Sequence, residues 1–302
     1  MICLLWRQHR GQALWAALIL TAFCGLMVGI GSSANHWLAG YHQWVKALAD
    51  AGCAPPDAHS GDFHVRSVAT CDALRGLYPG ALQPAFASRY NFTILVFQDG
   101  LPATLAIIAA LVGAPLVARE IEQRTQLVSW TQSVSRRRWY VTKVTIVAAA
   151  VGVAGLVVGV VADQLQRPLG TGGLMRSRWV WFFSMDLALA GEIVLAFALA
   201  VALGAWLRRT VPAVGAALAC FLVLLLASGW AVRTLAPTSH TAGPSFDVPV
   251  GGWIIRSSQG HSVSYHPANQ YWPLQLTFLA VSLVLAAATL ALGWYATRTR
   301  AV

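Results

Sequence analysis

Residues 101–124 read LPATLAIIAALVGAPLVAREIEQR, an uncharged apolar run from Leu101 to Ala118 followed at once by Arg119, Glu120, Glu122 and Arg124. A hydrocarbon core about 30 Å thick takes roughly 20 residues of helix at about 1.5 Å each, so the run reads as a membrane span and the charges as its end. Five more runs of this kind lie outward from it: Ala13–Gly31, Val144–Ala162, Leu187–Leu207, Val211–Trp230 and Leu274–Thr297. Pro102, Pro115 and Pro212 fall near span ends, where a missing amide donor costs least. The pattern predicts an all-α, polytopic membrane protein of six transmembrane helices, with 1–302 forming one transmembrane domain.

Composition agrees. Only 11% of the 302 residues are charged, against about a quarter in soluble domains. The formal charge of +10 does not point to nucleic acid, because the basic residues flank apolar runs and form no stripe. Lys46 follows Val45 and Lys143 follows Thr142, and these are the only two lysines. A phosphate-gripping loop needs Gly-Lys before Ser or Thr, so ATP hydrolysis, if used, comes from another chain. No nucleophile with a base and no metal cluster lies at matched depth in the spans, which argues against an enzyme.

Orientation follows from where arginine and lysine collect, since short basic segments stay in the cytoplasm. Twelve of the 21 basic residues lie at Arg7 and Arg10, between Arg119 and Lys143, at Arg208 and Arg209, and at Arg298 and Arg300. The alternate connections carry eight of the eleven acids. Both termini are therefore expected in the cytoplasm of a multi-pass protein of the cell membrane. A signal peptide ending near Ser32-Ser33-Ala34 is the competing reading of the first run, and would leave the remaining orientation unchanged. Gly25 with Gly29, and Gly155 with Gly159, have the four-residue spacing that lets helices approach closely.

The external segment 32–100 contains Cys53 and Cys71. The other three cysteines fall in the N-terminal tail or in spans, so in an oxidising compartment these two have only each other. A disulfide is the expectation, with two free thiols as the alternative. Seven of the eight histidines are also external, but none has the spacing of a zinc site, and no metal or cofactor is implied. The polar stretch 231–273 carries Trp253, Tyr265, Tyr271 and Trp272, suited to the headgroup level, and short interfacial or re-entrant helices are expected there. Glu192 is the single ionisable residue within a span, roughly 7 Å inside its external end. An intramembrane carboxylate is a candidate polar site by default; snorkelling to the interface, or pairing with a polar neighbour, is the competing reading.

The connection 119–139 is the most informative. Ile121, Thr125 and Val128 share one helical face and Leu127, Trp130 and Val134 an adjoining one, with charge at both ends. That suits a short amphipathic helix lying on the membrane or docking into a groove. Its order of residues resembles the permease subunits of type-2 ATP-binding-cassette exporters. Such permeases carry Arg-Glu after the second span, a further acid, Gly-Thr, a small apolar turn, and Ser-Arg before a lysine that opens the third span. The matching positions are Arg119, Glu120, Glu122, Thr125, Val134, Ser135, Arg136 and Lys143. The run Trp130-Thr131-Gln132-Ser133, Trp139, and Trp6-Arg7-Gln8-His9-Arg10 are similar to the actinobacterial form. Arg124 departs from the pattern, standing where the family has glycine before Thr125.

The resemblance implies a permease that pairs with a second permease copy or paralogue and with an ATP-binding-cassette ATPase subunit, segment 119–139 being the cytoplasmic coupling helix. It makes Glu120, Glu122, Thr125 and Arg136 contact or orienting residues and Trp130 a groove anchor, and it leaves the substrate open. The amphipathic pattern alone admits another class, a non-transporting membrane anchor or scaffold.

Overall fold

The computed structural model describes residues 2–51, 53, 71, 100–123, 135–171, 179–235, 238–241, 253–258 and 262–299. Its helices are α1 (Ile2–Asp50), α2 (Gly100–Glu122), α3 (Arg136–Thr171), α4 (Asp186–Leu207), α5 (Thr210–Leu235) and α6 (Tyr271–Thr299). Each of the six is long and apolar enough to cross a membrane. With 22 residues, α4 measures about 33 Å, close to the hydrocarbon thickness. All-α architecture with six spans is therefore what the apolar runs encode.

Chain contacts divide the molecule into two compact units. The first holds residues 1–96 and 164–176. In it α1 runs well past its apolar stretch, and Ala34 with Leu38, then Trp44 with Leu48, are buried at four-residue spacing. A Cβ added at Gly31 would stand 3.3 Å from Leu165 Cα, so the backbones of α1 and the end of α3 meet there. Among the described residues, nothing lies within 4 Å of a Cβ added at Gly25 or Gly29. Just beyond α1 a disulfide joins Cys53 to Cys71, their Cα atoms 5.6 Å apart. Both sulfurs lie buried against Trp44 and Leu48, and the Cys53 N–H donates to the Leu48 carbonyl at 2.8 Å.

The second unit holds residues 97–163 and 177–302 and is organised around α4. Of the most apolar window of α4, 78% is buried, against 17% for α5 and for α6. The outer helices instead expose Val211, Val223, Leu226 and Trp230 on α5, and Leu276, Val284 and Leu292 on α6, as a lipid solvent requires. Lipid tails give no hydrophobic drive between helices, so packing depends on small residues that bring backbones together. Ala110 and Ala114 of α2, Ala200 of α4, and Ala213 and Ala217 of α5 form one such seam. A Cβ at Gly113 would lie 2.8 Å from the Phe197 carbonyl oxygen, and one at Gly159 within 3 Å of the Asp186 backbone. The Gly155–Gly159 pair thus seats α3 against α4. Pro115 lies inside α2, which continues beyond the apolar run to Glu122.

At the end of this unit where α4 begins, three described segments form a three-stranded antiparallel sheet in the order β1-β3-β2. The strands are β1 (Ser239–Thr241), β2 (Trp253–Ser258) and β3 (Ser262–His266), with irregular register between Ile254 and Arg256. Among the described residues of 231–273, strands stand where short interfacial helices were expected, and a 3₁₀ turn, Ala268–Gln270, precedes α6; residues 242–252 and 259–261 lie outside the described residues. Alternating Val263 and Tyr265 with Ser262, Ser264 and His266 gives β3 the period of a strand and denies it a continuous helical stripe. A second 3₁₀ segment, Trp179–Ser184, leads into α4, and its Phe182 and Phe183 pack edge-on with Phe278, with Tyr271 also against Phe182.

Candidate functional site

The arginine-rich end of the second unit carries the residues singled out between the second and third spans. Helix α2 extends through Arg119 and Glu120 to Glu122, and the Gln123 N–H still bonds to the Arg119 carbonyl at 2.9 Å. Helix α3 opens after Ser135, whose hydroxyl accepts the Arg138 N–H at 3.3 Å. Ser135 is thus the N-cap of α3, and the Ser-Arg dipeptide marks a cap followed by the first helical residue. The two ends of segment 119–139 are built into the span helices. Residues 124–134, including Arg124, Thr125 and Trp130, lie outside the described residues, as does the Arg136 side chain.

Across the gap between these helix ends, the Lys143 ammonium donates to Glu120 Oε1. Lys143 is buried and Glu120 half-buried, and the ammonium stands 5.6 Å from the centre of the buried Trp139 ring. Glu122 Oε2 accepts the Thr210 hydroxyl at 3.3 Å, reaching the first residue of α5. Glu120 and Glu122 therefore bind α2 to α3 and to α5. The αL residue Arg208 ends α4 beside them, its N–H bonded to the Gly204 carbonyl at 3.0 Å. Lys143 was visible as a motif position, but its partner was not. Thr210 gave no signal, since a threonine after two arginines is an ordinary helix start.

Glu192 lies about 9 Å along α4 from Asp186. It is 3% exposed, and neither carboxylate oxygen has a hydrogen-bond partner among the described residues. Its immediate neighbours in sequence are committed to packing: Gly191 admits Ser282 and Leu279 of α6, while Ile193 meets Gly155 of α3. Among the described residues, neither a hydrogen-bond partner nor an exposed position accounts for the carboxyl.

Above Glu192, α4 starts without a side-chain cap of its own. Gln275 of α6 supplies the bonds instead. Fully buried, it accepts the Ala188 N–H at 2.7 Å and donates to the Phe182 carbonyl at 3.1 Å. The Ala188 N–H is one of the donors that the first turn of any helix leaves unpaired. Tyr271 donates to Asp186 Oδ2, holding the first residue of α4, which has φ +46°. His266, buried at the end of β3, faces Gln270 Oε1 at 3.2 Å and the Val232 carbonyl at 3.3 Å. Among the described residues no group of histidines, cysteines and carboxylates is placed to hold a metal.

This arrangement has one buried helix, an ion-paired base at the connection between the second and third spans, and a polar clasp at the opposite end. Residues 43–233 match the model of the ABC-2 membrane transporter related family, and the chain belongs to that family. It is a transmembrane permease component of an ATP-binding-cassette transporter. The matched region contains Glu120, Lys143 and Glu192. No curated protein and no solved structure matches the chain.

Proposed function

We propose that the chain is the permease of an exporter in the cell membrane, driven by a separate ATPase subunit and paired with a second permease. Its termini and the arginine-rich end of the second unit face the cytoplasm, as the basic residues favour. Segment 119–139 is the coupling helix, with Trp130 anchoring it in the ATPase and Thr125 and Arg136 orienting it. The observation that carries this reading is the Glu120–Lys143 pair, which joins the two helix ends flanking the segment. A push on residues 124–134 then reaches α2 and α3 together and, through Glu122 and Thr210, α5. A loose connection would dissipate the same motion.

Glu192 is proposed as the intramembrane polar site. A carboxyl left unpaired in a packed bundle costs about 1–3 kcal/mol, which is offset when the spans rearrange and give it a partner. Tightly packed helices switch between discrete arrangements more readily than they deform. The substrate class stays open, and the Trp130–Ser133 run, Trp139 and Trp6-Arg7-Gln8-His9-Arg10 support the actinobacterial form. The test is ATP hydrolysis by the full chain purified with its ATPase. Hydrolysis stimulated by a transported compound supports the exporter. A wild-type chain that recovers no ATPase is a scaffold instead.

A further inference from the structure

Between α3 and α6, at the arginine-rich end of the second unit, lies a cavity of about 560 Å³ whose lining shares Arg137 with segment 119–139 but includes none of Glu120, Glu122 and Glu192. Its walls are Tyr140, Val144, Leu290 and Trp294, and its rim carries Arg137 and Arg298. Arg137 stands in the first turn of α3 and Arg298 in the last turn of α6, so two antiparallel spans bring both guanidiniums to one boundary of the membrane. Both are exposed, and neither has an ion-pair partner among the described residues. The inner wall is fixed: Tyr140 is buried, donates to the Leu290 carbonyl at 3.0 Å and packs against Trp294 with ring centres 5.8 Å apart.

We infer that this cavity binds the phosphate headgroup of an anionic phospholipid. The ligand must have two properties at once. Paired guanidiniums favour phosphate oxygens through charge-assisted bonds. The Val144 and Leu290 walls beneath them favour an acyl chain, and an indole at that depth sits where headgroups lie. A free phosphate satisfies the rim and leaves the apolar wall unused. Basic pockets between spans on the cytoplasmic side are built to meet anionic lipid. The inference depends on the orientation proposed above only for the leaflet that supplies the lipid. Its placement at the start of α3 ties lipid occupancy to the helix that leaves the coupling segment.

The full-length chain, purified and exposed to equal phosphatidylglycerol and phosphatidylcholine in mixed micelles, is examined by native mass spectrometry. Wild type retains phosphatidylglycerol in preference. Arg137→Gln and Arg298→Gln each weaken that retention about fivefold, and the double variant about thirtyfold. Arg138→Gln, one residue away but off the cavity, retains it fully. Equal retention by the double variant overturns the inference. Displacement of the lipid by millimolar inorganic phosphate also overturns it, because the apolar wall then contributes nothing. Each single variant alters an exposed side chain, so folding is preserved and the comparison holds without the double variant.

Discussion

Lys143 on α3 donates to Glu120 on α2, so an ion pair spans the mouth of the connection formed by residues 124–134. Glu120 is thereby a strap between spans as well as a residue near the proposed ATPase surface. Removing Glu120 takes this counter-ion from the buried Lys143 ammonium, and removing Lys143 takes one ionic bond from Glu120, at a cost of about 1–3 kcal/mol for a half-buried pair. Glu120→Gln and Lys143→Met each lower the unfolding temperature in detergent. The exchanged pair Glu120→Lys with Lys143→Glu restores part of the loss. Additive losses in the exchanged variant would show that the two side chains act independently.

Gln275→Leu is expected to be the most destabilising single change at the sheet end of the second unit. It removes the bonds to the Ala188 N–H and to the Phe182 carbonyl together, at a cost of about 1–3 kcal/mol for a buried group left unmatched. Thermal unfolding of the purified chain reads the loss. Gln275→Asn, too short to reach both groups, restores little. Stability equal to wild type in Gln275→Leu would mean that these groups find other partners.

Cys53 and Cys71 remain joined in protein recovered from an oxidising compartment, and a mass spectrum of unreduced peptides detects the linked pair. In the chain-entropy description, a loop closed across a separation of 18 residues stabilises that segment by about 3 kcal/mol. Cys53→Ser with Cys71→Ser therefore raises proteolysis of the segment while the second unit melts unchanged. Two free thiols in the unreduced peptides contradict the bond.

Six apolar runs were enough to place six spans, because the hydrocarbon thickness sets a length that composition alone can meet. Helix α1 was legible only to about Gly31. Beyond it Trp44 and Leu48 are buried among polar residues, and a hydropathy window averages such a stripe away. The sheet was missed for a related reason: its strands are three, six and five residues long and carry aromatics that also suit an interfacial helix. The Cys53–Cys71 pairing followed from compartment and number. Glu192 was legible as a lone charge, whereas its lack of a partner among the described residues depends on packing that no spacing encodes. Gln275 gave no sign, since one glutamine in a span faces any direction until its neighbours are known.

Glu192→Met keeps the volume and removes the unpaired carboxyl. The chain is expected to be as stable as wild type or more so, by up to about 1–3 kcal/mol, while substrate-stimulated ATP hydrolysis by the assembled transporter falls at least tenfold. Thermal unfolding and hydrolysis on the same preparation separate the two effects. Undiminished stimulation would return Glu192 to a packing role.

Docking of the ATPase at segment 119–139 is the central claim, and Trp130 tests it more cleanly than the acids. Glu120→Lys would set a second ammonium beside Lys143 and disturb the fold as well as the interface. A buried aromatic anchor commonly carries about 2 kcal/mol or more of an interface, near thirtyfold in affinity. The measurement is recovery of the ATPase with the full chain from detergent, wild type against Trp130→Ala at matched permease levels. Trp130→Ala is expected to lose about thirtyfold in affinity with normal insertion and an unchanged melting temperature. Equal recovery in the two would contradict it and place the docking site elsewhere.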